Sequence, residues 1–376
     1  MTKFAKISLV AAVAVEGLTT ANAQPLEEAI KGVDVSGMMR YRFESIKDGN
    51  SVTGGSQVNS LNNANANAYR LDVKTSAKVN DAVKANVTVG ITGNNGSDTT
   101  LSTESSDAVA SVGVRDANFA ISLAGATVIA GKQSVPGPFV DNTSDDITRG
   151  TGVVALLPLG AVTLAAGSFN NTTVGGYDAS EAAVIANLGG VAADVWYANV
   201  ANVDGKDLTM YSVHANTTLA GLVNVDARYS SKDNKVANAD KATLTKVIAS
   251  GKVEGITLAA GYFKSGKNNA TTNNVSIDGD NDAAVDARVW QASVGRLADA
   301  TGLLAVVGVN LTPELSAKLS YADVKCDAIQ DGTETLVDIG YAMSKNFTLS
   351  GKYSIFHAGA LADDSVKSRI EAKYTF

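Results

Sequence analysis

Hydrophobic and polar residues alternate with a period of two along much of this chain, which predicts β-strands and not helices. Between residues 33 and 44, apolar side chains ending in Tyr41 and Phe43 share one face, and charged ones such as Arg40 and Arg42 share the other. A strand of a soluble sandwich also alternates. A charged face opposite an apolar face that ends in aromatic rings is, however, typical of a strand that lies between an aqueous lumen and lipid.

Short turns alternate with longer polar connections along the chain. We expect short turns at 80–81, 123–126, 158–160, 189–190, 219–221, 254–255, 312–314 and 344–346. We expect longer connections at 45–66, 93–108, 133–149, 171–180, 200–206, 232–240, 265–300, 325–332 and 358–366. These connections join 18 strands, which predicts an all-β fold: an 18-stranded antiparallel transmembrane β-barrel with short periplasmic turns and long outer loops.

One segment, 285–297, alternates weakly and could be a nineteenth strand. Bacterial single-chain barrels have an even number of strands, because both chain ends lie on the periplasmic side. Parity therefore assigns this segment to the long connection 265–300.

The beginning of the sequence reads as an export signal. Lys3 and Lys6 precede the apolar stretch 7–15, and Ala21-Asn22-Ala23 is a small-x-small cleavage site. This three-part pattern predicts a cleaved signal peptide over residues 1–23, with a buried N-terminal helix as the alternative. The remainder, 24–376, is then one barrel domain without a separate globular domain.

The final strand carries a second signal. It alternates up to Tyr374 and Phe376, and an aromatic terminal residue on such a strand resembles the recognition signal of the outer-membrane assembly machinery. We expect this strand to pair with the strand at 33–44 and close the barrel. Both ends together predict a protein of a Gram-negative outer membrane, with lipid and the assembly machinery as partners.

The composition excludes several classes of protein. No apolar run reaches 18 residues after the signal, so no transmembrane helix is predicted. The net charge is −7, and removal of the signal peptide, with its two lysines and one glutamate, leaves −8. An acidic balance argues against nucleic-acid binding, which uses a basic patch.

Cysteine and histidine are rare. Cys326 is the only cysteine, which excludes an intrachain disulfide and a cysteine-based metal site. Its charged neighbours, Lys325 and Asp327, predict an exposed loop. The two histidines, His214 and His357, are expected near strand ends without a serine or aspartate cluster, so we do not predict an enzyme.

The strand count has a functional consequence. Barrels of 16 to 18 strands leave an aqueous channel, whereas small barrels are filled by side chains. We therefore expect a porin that passes small hydrophilic solutes and ions by passive diffusion. Such a channel discriminates by its width and by the charges at its narrowest point.

A loop folded inward at 133–149 is expected to make that narrowing. Phe139 and Val140 can pack it against the wall. Its acids are Asp141, Asp145 and Asp146, and the basic residues expected on the facing wall are Arg40, Arg42, Arg70, Lys74 and Arg115. Acid opposite base would create a transverse field, and the net negative charge favours cations over anions. Alternatively, the acids are ordinary solvated loop charges.

No cofactor is required by this reading. The three carboxylates of the loop could hold a hard cation through oxygen ligands, but their spacing matches no EF-hand loop. A calcium ion between loop and wall is therefore a hypothesis.

Several stretches resemble one known family. The stretch Pro25–Phe43 (PLEEAIKGVDVSGMMRYRF) is similar to the mature N-terminus of the Campylobacter-type major outer membrane proteins. Shorter similarities are Gly131-Lys132-Gln133, Phe139 to Asn142 (FVDN), Gly150-Thr151-Gly152 and Leu164-Ala165-Ala166. The resemblance implies an 18-stranded homotrimeric porin, moderately cation-selective, with a constriction that can bind calcium. Asp141, within FVDN, is the position we favour first as a ligand.

The resemblance also leaves other functions open. Members of that family are surface antigens and adhesins, so a barrel that displays loops to host surface ligands is the alternative to a general porin. A metabolite-specific channel is a further possibility. The sequence shows no ladder of aromatic residues that would identify a substrate path.

Overall fold

The computed structural model describes residues 32–47, 64–92, 111–141, 147–173, 176–203, 206–234, 241–270, 273–277, 283–326, 331–358 and 364–376. The strands are β1 (Val33–Lys47), β2 (Ala64–Lys78), β3 (Val83–Thr92), β4 (Ser111–Leu123), β5 (Ala126–Ser134), β6 (Arg149–Leu159), β7 (Val162–Asn170), β8 (Asp178–Leu188), β9 (Val191–Val203), β10 (Lys206–Leu219), β11 (Val223–Asn234), β12 (Ala242–Val253), β13 (Ile256–Ser265), β14 (Thr301–Asn310), β15 (Leu315–Lys325), β16 (Gly332–Ala342), β17 (Phe347–Ala358) and β18 (Ser365–Thr375). No helix in these ranges is long and apolar enough to cross a membrane. The predicted signal peptide lies outside the described residues.

The strands form one closed antiparallel barrel. Each strand pairs with its neighbours in chain order, and β1 also pairs with β18. Met39 lies opposite Tyr374, and the backbones of Gly37 and Phe376 exchange two hydrogen bonds of 2.9 and 3.1 Å. The predicted fold class, the strand number and the closure of the last strand onto the first are therefore confirmed.

The eight short turns lie where the sequence predicts them. In the β4–β5 turn Ala124 and Gly125 have φ of 49° and 85°, and in the β8–β9 turn Gly189 and Gly190 have φ of 60° and 90°. Two central residues with positive φ are typical of type I′ turns, whose twist matches that of the flanking strands. Such turns fix the register of the hairpins that they join.

One connection differs from the prediction, and one ambiguity is resolved. The connection expected to be long at 200–206 is short, because β9 continues to Val203, which pairs with Lys206 at the start of β10. The segment 285–297 is not a strand of the barrel. It lies in the β13–β14 connection, as parity predicted, with one isolated bridge between Arg288 and Ser293.

Apolar side chains cover the outside of the barrel. Exposed tyrosines are numerous toward the rim that carries the long connections: Tyr41, Tyr197, Tyr211, Tyr229, Tyr262, Tyr321 and Tyr353. Tyr197 and Tyr211 face each other across β9 and β10 with ring centroids 5.3 Å apart. Aromatic rings at the edge of an apolar band are typical of a membrane interface.

The inside of the barrel contains a packed apolar core. Its members are small and apolar residues of the inner wall, such as Ala198, Met210 and Leu244, together with residues from two inward-folded connections. The first is the constriction loop (135–141 and 147–148, between β5 and β6). The second is the internal segment (266–270, 273–277 and 283–300, between β13 and β14). Both reduce the width of the lumen.

A β-bulge in β4 places two charged neighbours on the same face. Thr88 of β3 pairs with Asp116 and Val89 pairs with Val114, which leaves Arg115 as the extra residue. A bulge shifts the alternation of the strand by one residue. Arg115 is consequently buried inside, and both Arg115 and Asp116 form ion pairs with other residues of the inner wall.

Candidate pore constriction

The constriction loop lies inside the barrel and contacts the internal segment. Phe139 is 1% exposed, and its carbonyl accepts a hydrogen bond from the N–H of Ile277 at 2.9 Å. The carbonyl of Pro138 accepts one from the N–H of Val285 at 3.0 Å. The predicted packing of Phe139 and Val140 is thus present, but much of it is against another inward-folded connection.

The loop also presses closely against the wall. Gly137 has a φ of 96°, and a Cβ atom there would lie 3.0 Å both from Oε2 of Glu181 and from Cζ3 of Trp196. Any larger residue would meet steric conflict in addition to an unfavourable backbone conformation. The loop backbone is therefore held directly on β8 and β9.

Of the three loop acids, the structure describes only Asp141. Asp141 is fully buried, so its carboxylate does not face open solvent in the lumen. Its carbonyl accepts a hydrogen bond from the N–H of Thr148 at 3.2 Å, which joins the two described parts of the loop. Asp145 and Asp146 lie outside the described residues. The constriction role of these three acids therefore stays a prediction.

Arginines and acids alternate along the inner wall of β2, β4 and β6. Arg70 pairs with Asp72 at 2.7 Å, and Arg115 approaches the other oxygen of Asp72 at 2.9 Å. Arg149 pairs with Asp116 at 3.2 Å. Asp72 is thus shared between two guanidinium groups, which leaves an excess of positive charge here.

The same arrangement continues across the closing seam. Arg42 of β1 pairs with Glu371 of β18 at 2.7 Å, and Arg40 lies 3.9 Å from the same carboxylate. Glu44 of β1 accepts from both Arg369 and Lys367 of β18, with ion-pair distances of 2.5 and 2.9 Å. Each of these pairs crosses from the first strand to the last one.

We call this set the basic wall. Its cations are Arg40, Arg42, Arg70, Arg115, Arg149, Lys367 and Arg369, and its acids are Asp72, Asp116, Glu44 and Glu371, which gives a formal excess of three positive charges. The structure thus brings together four of the five basic residues that the sequence predicted. The fifth, Lys74, lies four residues beyond Arg70 on β2 and is exposed.

The acidic partners of the basic wall were missed by sequence reasoning. The spacing of Arg70 and Asp72 by two residues was a usable signal, because such residues share one face of a strand. The pairing of Glu371 with Arg42 had no local signal, since the two residues meet only through barrel closure.

Asp286, in the internal segment, has a strongly raised pKa. Burial raises the pKa of Asp286 to about 6, although the N–H of Ala287 and the cations Arg296, Lys246 and Arg288 oppose the shift. Lys246 of β12 donates to the carbonyls of Ala284 and Asp286 at 2.5 and 3.0 Å. This part of the segment is therefore tied to the wall next to a carboxyl group that titrates slightly below neutral pH.

His214 is not isolated, contrary to the sequence-based expectation. Its Nδ1 lies 2.6 Å from Asp194, and its Nε2 lies 2.7 Å from Asp226. Asp194 also accepts from Arg228 at 3.2 Å. Each ring nitrogen of His214 thus lies within hydrogen-bonding distance of a carboxylate. These partners come from three adjacent strands, so the sequence offered no local signal for them.

Cys326 also differs from the expectation. It is buried, and its Sγ lies 3.2 Å from the carbonyl of Ala298 in the internal segment. The charged residues around it have a different role, since Lys325 and Asp331 pair with each other at 3.0 Å. Hydrogen bonding to Lys325 lowers the pKa of Asp331.

The described residues do not by themselves make a calcium site. No three His, Cys, Asp or Glu side chains among them converge in a way that could hold a metal ion. Calcium prefers six to eight oxygen ligands, and Asp141 supplies one side chain within the described part of the loop. The calcium hypothesis therefore depends on acids outside the described ranges.

Comparison with protein families agrees with this architecture. The family model of the Campylobacter major outer membrane protein matches residues 2–195. The chain belongs to this family. No curated protein matches the sequence at a significant level.

Solved structures of other bacterial proteins share the fold. Pseudomonas aeruginosa OccK8 (OprE) superposes with a TM-score of 0.71 at 12% identity, covering 92% of this chain and 98% of that one. Acinetobacter baumannii OccAB4 gives a TM-score of 0.69 at 12% identity, with coverage of 91% and 98%. P. aeruginosa OpdK, in a structure with vanillate, gives 0.70 at 12% identity, with coverage of 91% and 98%. At such identities the likeness establishes the fold: an outer-membrane β-barrel of the porin type.

Proposed function

We propose that the protein is a general diffusion porin, which passes small hydrophilic solutes and ions across the outer membrane. The observation that carries this proposal is a closed 18-stranded barrel whose inner wall is lined by charged pairs. Barrels of this width enclose an aqueous channel, and charged residues on the wall keep water and ions there. The family membership and the fold support the same conclusion.

The conducting path is best placed along the basic wall. Described residues of the constriction loop pack on β6 to β9, where Val154, Phe169 and Trp196 contact them. The internal segment follows the wall from β11 to β18. We therefore place the path beside β1 to β5, with the two inward-folded connections on its other side.

Moderate cation selectivity is part of the proposal. The full chain carries a net charge of −7, and the predicted constriction acids would oppose the basic wall across the path. Asp141 is buried, so it would act through its electric field and not by facing the path. Such a transverse field sorts cations and anions to opposite sides, and the net charge sets the sign of the overall preference. The homotrimer and the possible calcium ion stay predictions from family resemblance.

Planar-bilayer recording tests the proposal. Purified protein should give stepwise conductance, and a salt gradient should give a reversal potential of the sign expected for cations. The Asp141→Asn variant should lower the cation preference, because it removes one negative charge from the constriction. The exposed turn variant Asp81→Asn is the matched control, since it removes the same charge at a distant, solvent-exposed turn.

The outcomes separate the parts of this proposal. If no stepwise current is seen, the porin function fails and a barrel that displays loops is favoured. If current is present but Asp141→Asn behaves like Asp81→Asn, the role of Asp141 in selectivity fails.

A further inference from the structure

A buried carboxylate of the barrel wall holds a turn of the internal segment. Glu334 of β16 is 0% exposed. Its Oε2 accepts from the backbone N–H groups of Trp290, Gln291 and Ala292 at 3.1, 3.0 and 2.7 Å, and its Oε1 accepts from Gln291 at 3.1 Å. Ser354 of β17 donates to Oε1 at 2.6 Å. Three successive N–H groups on one carboxylate form an anion-binding nest.

The side chains of the same turn reach the next two strands. Gln291 donates to Oγ of Ser354 at 2.9 Å and accepts from Oγ of Ser365 at 2.8 Å. The ring of Trp290 lies 4.8 Å from Nζ of Lys367 and 5.4 Å from the guanidinium carbon of Arg369. Cation–π contacts of this kind stabilise the Trp290 ring against β18. The turn thus ends against two cations of the basic wall.

The residues of the internal segment that precede this turn are held differently. Lys232 of β11 donates to the carbonyl of Ser276 at 2.8 Å, and Lys246 of β12 donates to Ala284 and Asp286. These are contacts from flexible lysine side chains. The contact at Glu334, by contrast, joins a rigid strand to several consecutive backbone groups, whose desolvation would be costly without the carboxylate.

We propose that Glu334 is a positioning residue that holds the internal segment across the lumen, so that this segment sets the width of the conducting path. The inference rests on the proposed porin function. Without Glu334 the N–H groups of the turn lose their shared acceptor, and their burial inside the barrel becomes costly. Release of the turn also withdraws Trp290 from Lys367 and Arg369 and widens the path beside the basic wall.

The Glu334→Gln variant tests this proposal. The amide keeps one acceptor oxygen, but its NH2 group points donors at a backbone that also offers donors. We expect about a twofold rise in single-channel conductance, because a wider constriction passes more current. Passage of larger neutral polymers should rise in the same variant.

Asp338→Asn is the matched control. Asp338 lies on the same strand and the same face, about 13 Å along the strand from Glu334. It pairs with Lys318 at 3.4 Å and with Lys352 at 3.7 Å, both of them wall residues. This variant removes the same lumen charge and leaves the nest intact, so its conductance should stay near that of the parent.

Cys326 provides a second, independent readout. It is the only cysteine of the chain, and it is buried beside Ala298 of the internal segment. A maleimide should label it slowly in the folded parent protein and in Asp338→Asn, and much faster in Glu334→Gln. Conductance that rises while Cys326 stays protected would overturn the proposal, because the segment would then not have moved.

A further variant tests the proposal even if Glu334→Gln prevents assembly of the barrel. Trp290→Ala changes the connection and not a strand, so the barrel can form, and it should raise conductance and labelling in the same direction. If neither variant differs from Asp338→Asn, Glu334 and Trp290 do not set the width. The two proposals fail separately: a parent protein without conductance contradicts the porin, whereas a conducting parent with unresponsive variants contradicts only this inference.

Discussion

The contact between Gly37 and Phe376 shows how a single residue supports barrel closure. The ring of Phe376 lies over Gly37, where a Cβ atom would come within 2.6 Å of its Cζ and would also meet the carbonyl of Asp72. Tyr374 stacks on Phe376 with ring centroids 5.9 Å apart. An aromatic ring over a strand glycine is a recognised way to stabilise a register.

Gly37→Val should therefore weaken the seam between β1 and β18. Overpacking of this kind costs about 1–3 kcal/mol, so the temperature at which the folded band converts to the unfolded band on gels should fall. Gly113→Val in β4 is the control, because a Cβ there meets nothing within 4 Å. Equal melting of both variants would show that the ring does not need the space at Gly37.

Single residues also mark the limit of prediction from sequence. Arg40, Arg42 and Arg70 form ion pairs along the inner wall on the faces that the alternation of β1 and β2 indicates. The bulge that places both Arg115 and Asp116 on the inner wall had no signal in the sequence. The burial of Cys326 was not predictable, since its cover is Ala298 of the internal segment, which lies 28 residues away. Local composition describes neighbours in sequence and not those in space.

At the scale of elements, strands and turns were predictable and the internal segment was not. A strand in lipid has one apolar face, and a short turn has glycine or a similar residue, so both leave a local pattern. The internal segment has only a weak alternation at 285–297, and Glu334 and Lys232 hold it through its backbone groups. Backbone groups are the same at every residue and leave no trace in the sequence.

The internal segment should respond to pH through Asp286. Burial raises the pKa of this carboxyl to about 6, so the folded state favours the protonated form. Its contribution to stability is greatest below the ordinary pKa of an aspartate and is lost as the pH rises through about 6. The shift corresponds to about 3 kcal/mol between the two limits.

Asp286→Asn removes this dependence, because the amide remains neutral at every pH. We expect current noise from segment movement to increase from about pH 5 to about pH 7.5 in the parent, and to stay low in the variant. Asp299→Asn is the control, since Asp299 belongs to the same segment but is exposed and pairs with Lys264 at 2.7 Å. A parent whose noise does not change with pH would contradict this role for Asp286.

At the scale of the whole molecule, charge is distributed unevenly around the lumen. The chain is acidic overall, yet the basic wall carries a formal excess of three positive charges along β1, β2, β4, β6 and β18. The pairs Arg42–Glu371 and Arg369–Glu44 cross the closing seam, so the charged wall exists only in the closed barrel. The proposed ion selectivity would thus depend on the assembled barrel and not on one loop.

Arg70→Gln tests whether this field governs selectivity. Asp72 keeps its contact with Arg115, so the variant removes one positive charge and leaves no isolated acid. We expect the reversal potential in a salt gradient to move toward greater cation preference, because anions lose part of their attraction to the wall. Lys74→Gln removes the same charge from the same face of β2, four residues away and exposed, and should shift the potential less. Equal shifts would mean that only the total charge of the lumen matters, and the basic wall would then have no special role at the constriction.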